Sequence, residues 1–148
     1  SNIAIGQNAG KDDLIRSGNQ HSALDRKTVL VVEDISSNYL LISAMLSKHY
    51  NLLHAVNGEQ AVAMVKEYKI DLLLMDMKMP VMDGLTATAE IRKFDTNIPI
   101  VALTAHAFES DKVAALKSGC NDYLVKPVDK ARLMSVLRKY CHPSTLVL

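Results

Sequence analysis

Five short apolar runs, separated by longer amphipathic stretches, constrain the fold of this chain more than any other feature of it. The runs are VLVV (29–32), NLLHAV (51–56), DLLLMD (71–76), IPIVAL (98–103) and DYLV (122–125). Several are apolar almost throughout instead of alternating, a pattern expected of strands covered on both faces. Such strands, each followed by a helix-length segment, define βα units around a parallel sheet. The intervening segments carry helix signals of their own. Asn57 with Gln60 three residues on resembles a capping box, and Gly119 stands where a helix end wants a left-handed residue. Leu133, Val136, Leu137 and Tyr140 recur at i, i+3, i+4 and i+7, one face of a last helix. The predicted architecture is a doubly wound (βα)5 α/β sandwich with a five-stranded parallel sheet in the order 2-1-3-4-5.

Residues 1–27 are rich in Asn, Ser, Gly and charge without a sustained period, which reads as a flexible linker or tail. The domain proper is expected over 28–141, with a C-terminal tail over 142–148. A chain of 148 residues with 49% apolar content suffices for one sizeable core and hardly two. The formal charge of +1 comes from interspersed acids and bases, so no basic block exists to neutralise a row of phosphates. Nucleic-acid binding is therefore not expected. Cys120 and Cys141 lie far apart and outside any C-x-x-C spacing, which suggests reduced packing residues of a cytoplasmic domain. No apolar run approaches the length that crosses a bilayer, so no membrane contact by this domain is expected, although a longer parent chain anchored in a membrane is compatible with that.

In an open α/β sheet, ligands sit beyond the carboxyl ends of the strands. Strand 1 closes on Glu33 and Asp34, strand 3 on Asp76, strand 4 on Thr104 and strand 5 on Lys126, whereas strand 2 closes on uncharged Val56 and Asn57. Each has an ordinary reading. Glu33, Asp34 and Thr104 could cap helices, Asp76 could be a loop carboxylate before the turn MPVMDG, and Lys126 could be a solvated lysine. Convergence on one edge of one sheet argues against four independent accidents.

Clustered acids raise one another's pKa unless a cation joins them. Mg²⁺ takes oxygen ligands and typically one or two carboxylates plus a phosphate, which matches Asp34 and Asp76 with Glu33 behind a water. Asp76 can then act as a nucleophile toward phosphorus, with Mg²⁺, Lys126 and the Thr104 hydroxyl facing the charge that builds on the transferring group.

The motifs VVED (31–34), DMKMPVMDG (76–84), ALTA (102–105) and DYLVKP (122–127), in this order and spacing, resemble the receiver domain of response regulators and hybrid histidine kinases over about Thr28 to Tyr140. The resemblance implies a flavodoxin-like fold and a phosphoacceptor module of a two-component or phosphorelay system. It makes Asp76 the phosphoacceptor, Asp34 a direct Mg²⁺ ligand beside Glu33, and the backbone carbonyl of Lys78 a further ligand. Thr104 becomes the switch hydroxyl and Ala105 the small residue that leaves room for the phosphoryl group. Lys126 pairs with that group, and its bond to Pro127 is expected cis. Tyr123 is either an aromatic that swings inward with Thr104 or a plain core tyrosine. Lys78 and His106 stand at the rim, where the family tunes the lifetime of the acyl phosphate; a solvent-facing role is the simpler reading of both.

The run TAHAFESD (104–111) followed by SGCNDYLVKP resembles receivers fused to hybrid sensor kinases. Implied partners are a histidine kinase domain, in the same polypeptide for a hybrid kinase, and a histidine phosphotransfer protein. Whether such a fragment counts as an enzyme is left open, because it assists only its own phosphorylation and dephosphorylation. Two rivals are weaker. A phosphohydrolase with an aspartate nucleophile needs a second acid two residues later, where Lys78 stands; a non-phosphorylated docking module has no need of the acids, threonine and lysine together.

Overall fold

The alternation of apolar runs and amphipathic stretches is realised as five βα units. In this computed structural model residues 25–143 are described, so the expected linker up to residue 24 and the tail from residue 144 lie outside the described residues. The strands are β1 (Thr28–Val32), β2 (Asn51–Ala55), β3 (Leu72–Asp76), β4 (Ile100–Thr104) and β5 (Asp122–Val125). The helices are α1 (Ser36–Leu46), α2 (Gly58–Glu67), α3 (Gly84–Arg92), α4 (Glu109–Ser118) and α5 (Lys130–Cys141). All strand pairs are parallel and the order is β2-β1-β3-β4-β5, as the sequence predicts.

The buried apolar residues of the strands serve one of two cores according to their parity. Val29, Val31, Leu72, Leu74, Val101, Leu103 and Leu124 pack with Leu133 and Leu137 of α5 and Ile42 and Leu46 of α1. Leu30, Val32, Leu73, Met75, Ile100 and Ala102 pack on the other face with Ala61 of α2, Ala87 and Ile91 of α3, and Ala115 of α4. Side chains alternate across a strand, so apolar residues are needed at every position when helices cover both faces. That explains why the runs lack a polar alternation.

Local chemistry fixes where elements begin and end. Asn57 caps α2 by accepting from the Gln60 backbone N–H at 2.8 Å, while the Gln60 side chain reaches back to Val56 N–H, one residue before the cap. Gly119 ends α4 at φ 118°, a left-handed conformation that suits glycine, and its carbonyl accepts from Arg92 Nε at 2.9 Å. The fourth strand starts two residues later than the apolar run IPIVAL suggests, at Ile100. Pro99 has no N–H to give the ladder, although its carbonyl accepts from Leu73 N at 2.9 Å. On the last helix Leu133 and Leu137 are fully buried and Val136 and Tyr140 pack half-buried at the edge of the same cluster.

Candidate functional site

Parity also decides which rim residues can meet. Residues 33, 76 and 126 continue the positions of Val31, Leu74 and Leu124, which face α1 and α5, whereas Thr104 continues Ala102, which faces α3 and α4. The observed contacts follow this division. Lys126 Nζ lies 3.1 Å from Glu33 Oε1 and 3.1 Å from Asp76 Oδ2, bridging the ends of β1, β3 and β5. Glu33 and Asp76 are both buried, and the Lys126 side chain is a quarter exposed. The acid cluster of Glu33, Asp34 and Asp76 places one carboxylate oxygen from each within 4.8 Å of the others.

Backbone donors complete the arrangement. Asp76 Oδ1 accepts from Lys78 N–H at 3.1 Å, and Glu33 Oε2 accepts from Ile35 N–H at 3.3 Å. Glu33 thus holds the first turn of the loop after β1. It is not the cap of α1: that position is Ile35, with no side-chain hydrogen bond. Asp34 Oδ1 is shielded from solvent and has no hydrogen-bond partner. A buried, unpartnered carboxylate oxygen next to two more carboxylates is unfavourable without a cation, and an all-oxygen donor set of this kind suits a hard divalent ion. The residues present therefore fit Mg²⁺.

The electrostatics agree with crowding. Burial pushes the Glu33 carboxyl above the ordinary glutamate range, and the neighbouring Asp76 charge adds to this; the hydrogen bond and charge of Lys126 offset only part. Burial works against the Lys126 ammonium, but Glu33 and Asp76 outweigh it and raise its pKa above the usual lysine value of 10.5. A basic group whose pKa rises on folding adds stability that is complete below its unfolded pKa and is lost as pH climbs through the folded one. The stability difference between the wild type and Lys126→Met is therefore expected to change in the wild type's disfavour as pH rises beyond about 10.5, measured by chemical denaturation. A difference that stays flat across that range would remove the ion pair from the stability of the fold.

The other rim residues lie on β4 and β5 or on the loops that follow β3, β4 and β5. The Thr104 hydroxyl donates to the His106 carbonyl at 2.9 Å, so it is engaged on its own loop. It does not cap α4, whose N-cap is Phe108. Thr104, Ala105, His106 and Lys78 line an open cleft of about 380 Å³ on the α3 and α4 side. Tyr123 is half-buried against that same side, with Lys112 Nζ of α4 4.9 Å above its ring. The Lys126–Pro127 peptide bond is cis.

One residue escaped the reading of the sequence. His54 of β2 places Nε2 2.8 Å from the Glu33 carbonyl and stacks on Tyr39 of α1, ring centroids 3.8 Å apart and planes 3° from parallel. Its signal was a single polar residue inside the apolar run NLLHAV.

A five-stranded parallel sandwich with three acids and a lysine gathered at the carboxyl end of its strands places a cation-binding, oxygen-rich site where open α/β domains hold their ligands. The sequence model of the response regulator receiver domain matches residues 29–138. Hybrid signal transduction histidine kinase M of Dictyostelium discoideum is 40% identical over 119 residues, which is 75% of this chain and 5% of that protein. Sensor histidine kinase GacS of Pseudomonas protegens is 42% identical over 118 residues, 76% of this chain and 13% of that one. The chain thus spans a small part of the curated relatives it matches. Among solved structures, the receiver domain of sensor histidine kinase PA1611 from Pseudomonas aeruginosa, crystallised with a magnesium ion in its active-site cleft, is 39% identical with a TM-score of 0.74, covering 78% of this chain and 98% of that one. The receiver of Saccharomyces cerevisiae Ssk1, solved with the histidine phosphotransfer protein Ypd1, is 36% identical with a TM-score of 0.75, covering 78% and 89%. The chain belongs to the response regulator receiver domain family, the signalling module of two-component and phosphorelay systems.

Proposed function

We propose that Asp76 is the phosphoacceptor of this receiver, with Asp34 and Asp76 ligating Mg²⁺, Glu33 behind a water and the Lys78 carbonyl as a further ligand. The observation that carries the reading is the convergence of Glu33, Asp34 and Asp76 within 4.8 Å, with Lys126 3.1 Å from Asp76. When bound, Mg²⁺ neutralises charge on the carboxylates and on the transferring phosphoryl oxygens.

The chain's own groups then divide the work. An Asp76 carboxylate oxygen attacks phosphorus as the bond from phosphorus to the donor's imidazole nitrogen breaks, and the freed imidazole keeps the electron pair. The Lys78 N–H holds Asp76 Oδ1 in place, leaving Oδ2 on the Lys126 side. Lys126, already charged between two carboxylates, moves its hydrogen bond to the incoming phosphoryl oxygen. Thr104 exchanges its bond to the His106 carbonyl for one to that group, and Ala105 leaves it room. Tyr123, lodged beside α4, then follows Thr104 inward, so local charge becomes a change of surface.

The donor fits a phosphohistidine protein: the kinase domain of the same or another polypeptide, with onward passage to a histidine phosphotransfer protein. Ile35, next to Asp34, and Leu41 of α1, which lines a small pocket with Glu33 and Lys126, are exposed apolar side chains suited to a partner surface that excludes water. We assign residues 28–141 to the receiver and the flanking segments to linker and tail. No helix among the described residues is long and apolar enough to cross a membrane; we place the receiver on the cytoplasmic side of any anchored parent.

Beryllofluoride, which mimics a phosphoryl group on a carboxylate, is expected to bind stoichiometrically in the presence of Mg²⁺ and to shift the amide resonances of Asp76, Thr104 and Tyr123. Unchanged spectra at saturating Mg²⁺ and beryllofluoride would favour a docking module without phosphorylation.

A further inference from the structure

We infer that His54 is a positioning residue for the magnesium site: its Nε2–H fixes the peptide between Glu33 and Asp34, and so aims the Asp34 carboxylate. The inference rests on the Mg²⁺ reading above. A carbonyl oxygen only accepts, so the 2.8 Å contact requires a proton on His54 Nε2. The Glu33 C=O and the Asp34 N–H belong to one rigid peptide plane, hence a donor locked onto the first sets the direction in which Asp34 leaves the strand. The regular ladder provides no substitute. Glu33 N–H still donates to the Ala55 carbonyl at 2.9 Å, but β2 ends at Ala55 and Asn57 has already turned away to cap α2. The histidine side chain thus takes over where backbone pairing stops, and holds Glu33 by β2 on both its N–H and its C=O.

Asp34 needs this support more than its neighbours do. Glu33 is directed by Lys126 and by the Ile35 N–H, and Asp76 by Lys126 and by the Lys78 N–H. Asp34 Oδ1 has no hydrogen-bond partner, so its aim is inherited from the backbone. The near-parallel stack on Tyr39 at 3.8 Å holds the imidazole in the orientation that reaches Glu33 and ties the first turn of α1 to the same peptide. Partners hydrogen-bonded directly to a ligating group commonly carry 10- to 100-fold of metal affinity, and His54, which acts on Asp34 through the peptide, is expected at the lower end of that range.

The test compares two substitutions that separate the donor from the ring. His54→Phe keeps an aromatic face for Tyr39 and removes the N–H; His54→Gln removes the ring and keeps an N–H within reach. Mg²⁺ affinity, measured calorimetrically on the full chain, is expected to fall roughly tenfold or more in His54→Phe and to return most of the way in His54→Gln. The Glu33 carbonyl carbon and the Asp34 amide nitrogen, followed by NMR without Mg²⁺, are expected to shift in the Phe variant as the hydrogen bond to their shared peptide is lost, and to stay near their wild-type positions in the Gln variant. Melting curves register any loss of the stack separately. Equal Mg²⁺ binding by wild type and His54→Phe, or equal losses in both variants, overturns the positioning role alone. A wild-type chain that does not bind Mg²⁺ overturns the phosphoacceptor reading and this role with it.

Discussion

Asp76→Asn is expected to abolish labelling by a small phosphodonor such as acetyl phosphate, with the rate falling by a factor on the order of 10⁴ or more, as removal of a nucleophile typically does. The substitution is nearly isosteric at a position only 4% exposed, and its amide oxygen can still accept from Lys78 N–H. It leaves Lys126 paired with Glu33. It also removes the charge that helps push the Glu33 carboxyl upward, so folding is expected to be retained. The measurement is intact-protein mass spectrometry after incubation with Mg²⁺ and donor, alongside a melting curve of each protein. Full labelling of the folded variant would move the phosphoryl group to another residue and end the assignment of Asp76.

The second large effect concerns the backbone behind that carboxylate. Gly84, the first residue of α3, sits so close to the end of β3 that a Cβ there would lie 2.3 Å from the Asp76 carbonyl oxygen and 2.8 Å from Met77 Cα. Both are backbone atoms and cannot step aside as a flexible side chain would. Gly84→Ala is therefore expected to displace the loop from Met77 to Asp83, costing roughly 3 kcal/mol and lowering Tm by about 10 °C. Because the loop carries the Lys78 N–H that holds Asp76 Oδ1, labelling by the phosphodonor is expected to slow as well. Wild-type melting and labelling rates in Gly84→Ala would mean that the close approach is not maintained in solution.

Most of the scaffold was legible because its pattern is physical necessity. A strand buried on both faces cannot afford polar alternation, so VLVV, LLLM and IVAL announced a two-sided parallel sheet, and the caps at Asn57 and Gly119 marked helix ends through side-chain and backbone chemistry local to them. The strand-final residues Glu33, Asp34, Asp76 and Lys126 followed from the rule that ligands gather at the carboxyl edge. Boundaries were less legible where the composition misleads, as at Pro99, apolar in company but unable to donate to the ladder.

What the sequence could not supply was the pairing of groups across elements. That Lys126 stands between Glu33 and Asp76 and not over one of them is set by strand parity and stagger. Even within one loop, the bond of the Thr104 hydroxyl to the His106 carbonyl is visible only in the folded chain. His54 is the clearest case. In the sequence it interrupts an apolar run, and only the parallel register that sets Val31 beside His54 brings its ring within reach of the Glu33 carbonyl. The chain's own order of residues thus determined the five βα units, the edge on which chemistry falls and the residue types available there, because periodicity and burial are local demands. Which of those side chains touch, and which peptide a histidine steadies, was decided by the packed sheet, because angstrom-scale contacts between residues distant in sequence exist only once the strands have found their register.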